Sequence, residues 1–170
     1  ELEGSLMIAF NRQAMHDFNI ATSREWLETN GTGGFASSSI LGCNTRRYHG
    51  LLVAAMNPPT ARTVLLSKFE EDVSVNGDNY PLSTNQYPGT FHPQGYRFLD
   101  AFRLDPLPTS VFSVGGVIIE KIVFMPYGLN ATAIRYRLLH SADDVTLTLR
   151  PLVAGRDFHH LNRAGSVQVE

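Results

Sequence analysis

The sequence predicts an all-β protein, an antiparallel β-sandwich. Alternation of apolar and polar residues recurs from Arg62 to Val153. Gly, Pro and Asn punctuate those runs at short intervals. No long segment carries a helical period, so strands and tight turns are what the chain can build.

The elements follow in order. Leu6 to Phe10 is apolar enough for a first strand, and Asn11 to Thr22 is mixed and predicts at most a short turn of helix. A Gly-rich turn at Gly31, Gly33 and Gly34 leads into strands over Gly33–Gly42 and His49–Met56, with Asn44–Tyr48 as the loop between them. Asn57-Pro58-Pro59 is a break, because proline cannot donate to a ladder. Arg62–Phe69 reads as the next strand and Asp72–Pro81 as a hairpin, turned by Asn76-Gly77, the strongest short hairpin signal. Ser83–Gly95 reads as a long loop, and loops of that length are usually functional or mobile. Tyr96–Leu104 alternates again. Val111–Val114 and Val117–Phe124 then form a hairpin around Gly115-Gly116. Asn130–Leu139 and Val145–Val153 are the last two strands, followed by a polar loop over Ala154–Gly165. The final run, Ser166-Val167-Gln168-Val169, is strand-like. With a start that is not Met, it makes the chain an expected segment, residues 1–170, of a longer polypeptide.

Composition narrows the function. A chain of 170 residues buries roughly 70% of its unfolded surface and needs no disulfide or metal to fold. A net charge of −2 gives no electrostatic attraction for nucleic acid or for an anionic membrane, so neither is expected as a partner. No apolar run approaches the roughly 20 residues of a membrane helix. The acidic start, Glu1-Leu2-Glu3, does not fit a signal peptide. Cys43 is the one cysteine and has no internal partner, which fits a reducing, cytoplasmic setting.

Two clusters carry the chemistry. Arg46-Arg47-Tyr48-His49 sits between a turn and an apolar strand. Arg offers a rigid fork of donors suited to vicinal hydroxyls or carboxylates, and Tyr and His offer an apolar face with a polar tip. The alternative is a structural pair between one of the arginines and Glu70, Glu71 or Asp72, which read as a solvated strand end. Arg156-Asp157-Phe158-His159-His160 is the second cluster. Its Asp and His could serve as acid and base. Neighbouring strand residues face opposite ways, so His159 and His160 are not expected to share a metal ion. No cofactor or metal site is expected. Glycoside hydrolysis needs two carboxylates across the scissile bond, and no such pair stands out. Gly31-Thr32-Gly33-Gly34 lacks the Lys-Ser/Thr of a phosphate loop, and Trp26 reads as core.

Several stretches resemble a known family. EWLETNGTGGFASSSILGCNTRRYHGLLVAA (Glu25–Ala55), RTVLLSKFEE (Arg62–Glu71), HPQGYRFLDAFRLDPLPT (His92–Thr109), IEKIVFM (Ile119–Met125) and RPLVAGRDFHH (Arg150–His160) carry the likeness, in order along the chain. They are similar to the N-terminal region of bacterial and archaeal glycogen debranching enzymes of the amylo-α-1,6-glucosidase type. The resemblance implies a β-supersandwich of the galactose-mutarotase-like kind, here an incomplete portion of it. It implies a catalytic α/α toroid downstream of Glu170, with the catalytic carboxylates there and none in this segment. The expected partners are then branched α-glucan, as in glycogen or limit dextrin, and the chain's own catalytic domain. Ligand sites often lie at domain interfaces. Arg46, Arg47, Tyr48, His49, Arg156, Asp157 and His159 are accordingly the expected substrate contacts. Two other readings stay open: a stand-alone carbohydrate-binding or scaffold module, and a mutarotase-like epimerase using His49 or His159 with a carboxylate.

Overall fold

The computed structural model describes residues 8–162. Among these, thirteen strands, numbered β1–β13 in chain order, form two main antiparallel sheets and a small two-stranded one. The first sheet has the order β1 (Ile8–Asn11), β9 (Leu99–Leu104), β10 (Pro108–Val114), β11 (Val117–Phe124) and β12 (Ala133–His140). The second has the order β13 (Val145–Asp157), β5 (Thr60–Val75), β4 (Gly50–Asn57), β3 (Phe35–Ser39) and β2 (Glu25–Thr29), with β6 (Asp78–Pro81) also on β5. β7 (Thr84–Tyr87) and β8 (Thr90–Gln94) pair with each other. The inner faces meet in one core. Trp26, Ala36, Leu51, Val73 and Val75 come from the second sheet, and Leu99, Phe102, Phe112, Val117, Ile119 and Val123 from the first. Burying a side chain of this size contributes about 1.5–3 kcal/mol. The sandwich expected from alternation is present, with Trp26 in its core.

The hairpin turns form where the sequence marks them. Asn76 and Gly77 both take positive φ, 53° and 86°, and join β5 to β6. Gly115 and Gly116 do the same between β10 and β11, at 56° and 77°.

Other expectations are corrected. Residues 83–95 are not a loop: β7 and β8 form a hairpin through Gly89 (φ 76°), and a 3-10 turn, Gly95–Phe98, follows. Its strands, TNQY and TFHPQ, are polar on both sides and so show no alternation. The strand expected from Tyr96 begins only at Leu99. Residues 12–23 hold two helices, α1 (Arg12–His16) and α2 (Phe18–Ser23). Each is capped by an acceptor side chain, Asn11 for the Ala14 N–H and Asp17 for the Ile20 N–H, both at 3.1 Å. β2, made of EWLET, went unpredicted because its one inward apolar residue, Trp26, sits among charged neighbours. β3 is shorter than expected, and β13 is longer, running on to Asp157. Leu6 and Met7 of the first expected strand, residues 163–165 of the expected loop and the run 166–169 lie outside the described residues.

Glu70, Glu71 and Asp72 are in the interior of β5, not at a solvated strand end. Glu71 is buried and points between the sheets, where Lys121 Nζ lies 2.5 Å away and the Tyr136 hydroxyl donates to the same oxygen. Burial, with the Glu71 charge alongside, pushes the Tyr136 phenol well up, so it stays a donor. On the opposite face Asp72 pairs with Arg150, and Glu70 accepts from Asn85. Among the described residues no helix is long and apolar enough to cross a membrane.

Candidate functional site

The two polar clusters, more than a hundred residues apart in sequence, meet on the second sheet. β13 runs antiparallel to β5 for its whole length, pairing Val145 with Val75 and Asp157 with Thr63. The ladder shifts register between Leu152 and Arg156, around Gly155 (φ 56°), a position that glycine tolerates. Beyond that bulge the chain turns over β5, and the Phe158 N–H donates to Arg62 O at 3.1 Å.

The loop before β4 arrives at the same place. Its anchor is Asn44, whose Oδ1 accepts from Ser38 Oγ at 2.8 Å and whose Nδ2 donates to Ser67 O at 3.1 Å. Ser37, Ser38 and Ser39 are buried, and each hydroxyl is spent on a neighbouring oxygen: Trp26 O, Asn44 Oδ1 and Cys43 O. Small side chains in β3 thus leave room for the loop, and their hydroxyls hold it. Gly50 closes the loop against β5. A Cβ there would lie 3.0 Å from Val64 and 3.1 Å from Val53, inside normal contact.

Arg47 Nη1 donates to His159 O at 2.9 Å, and Arg156 Nη2 donates back to Arg47 O at 2.5 Å. Tyr48 Oη lies 3.2 Å from His159 Nδ1. The Tyr48 ring stands 5.3 Å from Phe158 and 5.7 Å, edge-on, from His159, and the Arg62 guanidinium covers Phe158 at 5.6 Å. Arg156 also donates to His160 O at 2.8 Å, which ties the terminal turn together. Burial and the nearby Arg47 charge lower the Arg156 pKa, against the pull of Asp157. Arg47, Tyr48 and His159 are exposed and form a rim of hydrogen-bond donors on an aromatic base. Such a rim suits a polyhydroxylated ligand.

Three expected contacts have other duties. His49 is 2% exposed and does not reach the rim. Its Nδ1 accepts the Thr45 N–H at 3.1 Å, and Nε2 lies 3.2 Å from Glu25 Oε1. Burial lowers its pKa below the ordinary 6.5, although Glu25 opposes the shift. It is a neutral strut inside the loop, so an acid–base role at a ligand is corrected. Arg46 Nε pairs with the same Glu25 oxygen at 2.7 Å, and not with Glu70, Glu71 or Asp72. Asp157 Oδ1 accepts the His159 N–H at 2.8 Å and lies 3.3 Å from His160 Nδ1, so that oxygen shapes the turn. Among the described residues no three His, Cys, Asp or Glu side chains group as a metal site would need.

Sequence reasoning missed Glu25, Asn44 and Arg62 as parts of this site. Glu25 was the most accessible of them: as the first residue of a strand with Trp26 inward, it has to face away from the core.

The chain matches the model of the family described as glycogen debranching enzyme N terminal over residues 24–170. It belongs to that family. No curated protein and no solved structure matches the chain. The match takes in both halves of the rim, from the 44–49 loop to the Arg156–His160 turn, and in this glycogen debranching N-terminal domain they form one surface.

Proposed function

We propose that this chain is the accessory N-terminal domain of a glycogen debranching enzyme. On this reading the enzyme hydrolyses the α-1,6-glucosidic branch points of glycogen and limit dextrin in the cytoplasm, and its catalytic carboxylates lie on a downstream toroid. The Arg47, Tyr48 and His159 rim contacts branched α-glucan where the two domains meet, with Arg156 behind it. Arg46 and His49 hold the loop that presents it. The convergence of two remote clusters into one exposed donor rim carries the reading, and the family match supports it. The free, buried thiol of Cys43 agrees with a reducing compartment.

The test is Arg47→Ala in the full-length enzyme, read as glucose release from limit dextrin. A lost hydrogen bond from a charged group costs about 1.5–3 kcal/mol, roughly ten- to hundredfold in rate where it is made in the transition state. Activity should fall by that order with the melting temperature little changed. Unchanged activity with a lowered melting temperature would make Arg47 a structural tie between the loop and β13. Arg46→Ala, which breaks an exposed pair with Glu25 while His49 still holds the loop to that carboxylate, should cost less activity than Arg47→Ala.

A further inference from the structure

A groove of about 430 Å3 opens on the outer face of the second sheet. Its floor is β5, where Lys68 and Glu70 point away from the core-facing Phe69 and Glu71. The β7–β8 hairpin forms one wall with Asn85, Gln86, Tyr87 and His92, and Leu152 of β13 forms the other. Asn44, which anchors the loop bearing Arg47 and Tyr48, lines one part of it, so the groove begins at the foot of that loop.

The floor is rigid and its charge is spent. Lys68 is buried, and its ammonium donates to Thr84 O at 2.9 Å, Asn85 Oδ1 at 2.8 Å and Gly42 O at 3.2 Å, which uses all three protons. Asn85 Nδ2 in turn donates to Glu70 Oε1 at 2.8 Å. Glu70 Oε2 has no hydrogen-bond partner among the described residues. The Lys68 ammonium lies 3.9 Å from Glu70 Oε1, so the floor has no net charge to attract phosphate or nucleic acid, and the second carboxylate oxygen can accept hydroxyls. Tyr87, 53% exposed, offers an aromatic face on the wall, and Gln86 and His92 are exposed beside it. A neutral, hydroxyl-rich ligand with apolar faces fits this set, and a glycan is such a ligand.

We propose that the groove is a second subsite that holds a linear α-glucan chain running on from the Arg47–Tyr48–His159 rim. Tyr87 stacks against a sugar face and Glu70 Oε2 accepts its hydroxyls. The choice of glucose polymer over another neutral glycan rests on the functional reading above.

The test is native electrophoresis of the full-length protein through gels containing glycogen, with maltoheptaose titrated calorimetrically as the linear probe. Tyr87→Ala and Glu70→Gln should each weaken both readouts about tenfold. Tyr87→Phe, which keeps the ring, should retain binding. Wild-type affinity in both Tyr87→Ala and Glu70→Gln, while Arg47→Ala is weakened, would overturn the groove and leave the rim standing. A lower melting temperature for Tyr87→Ala with full glycogen affinity would mean that protein covers the groove, and would also overturn it. No retardation of the wild-type protein would instead remove the glucan reading itself.

Discussion

His49 is held neutral by burial, and this makes the protein sensitive to acid. Its pKa in the fold lies below 6.5, while the unfolded chain binds a proton near that value. Below about pH 6.5 the unfolded state therefore carries more protons than the native one. Stability is complete above that pH and declines as the pH falls, by at most about 1.4 kcal/mol per unit for this one group. Chemical denaturation between pH 7.5 and 5 should show this slope, and His49→Gln, which keeps an acceptor for the Thr45 N–H, should flatten part of it. Equal slopes in the two proteins would place the titration elsewhere. Glu71 makes a second residue-scale prediction. Leaving one member of a buried pair alone costs about 3–5 kcal/mol, so Lys121→Met should lower stability steeply. Lys121→Met with Glu71→Leu should recover much of it, since apolar residues of similar size often replace a buried pair without loss. From sequence, Arg47, Tyr48 and His159 could be named for their donor chemistry, and the fold brings all three together at one exposed rim. His49 could not be told apart from them, because burial follows from how the loop folds back on Glu25, a contact between positions 24 residues apart.

The 44–49 loop, β4, β5 and β13 act together as the element that builds the rim. Gly50 is the tight point, where a methyl group would press on Val53 and Val64. Gly50→Ala should cost about 1–3 kcal/mol as overpacking, and part of the cost should appear as a displaced loop and a disturbed rim, the proposed glucan contact. Thermal melts of this variant beside Gly116→Ala would check the claim, because a Cβ at Gly116 meets nothing within 4 Å and its cost is backbone strain at positive φ alone. Strands with one apolar face, such as β11, were legible from alternation, and so were the glycine turns. β2 and the β7–β8 hairpin were not, since polar strands leave no period to read. The meeting of the two clusters was also hidden. It depends on the register of β13 on β5 and on the bulge at Gly155, and neither is encoded locally.

At the scale of the whole molecule, the sheets are joined by an apolar core crossed by the Glu71–Lys121–Tyr136 contact. Beside the rim, Glu25 Oε1 pairs with Arg46 and Asp157 Oδ1 accepts within the terminal turn, so these oxygens hold the fold and do not stand as the acid pair that glycoside hydrolysis needs. Residues 1–170 on their own should therefore release no glucose from limit dextrin. Release that Asp157→Asn abolishes would move the chemistry into the sandwich. In the proposed function the Arg46–His49 loop and the Arg156–His160 turn work as one glucan-contacting surface. A double-mutant cycle on Tyr48→Phe and His159→Ala, read as limit-dextrin affinity of the full-length enzyme, tests it most directly, because the two side chains meet at 3.2 Å. A coupling of about 0.5 kcal/mol or more is the predicted result, and additivity within about 0.3 kcal/mol would contradict a single surface.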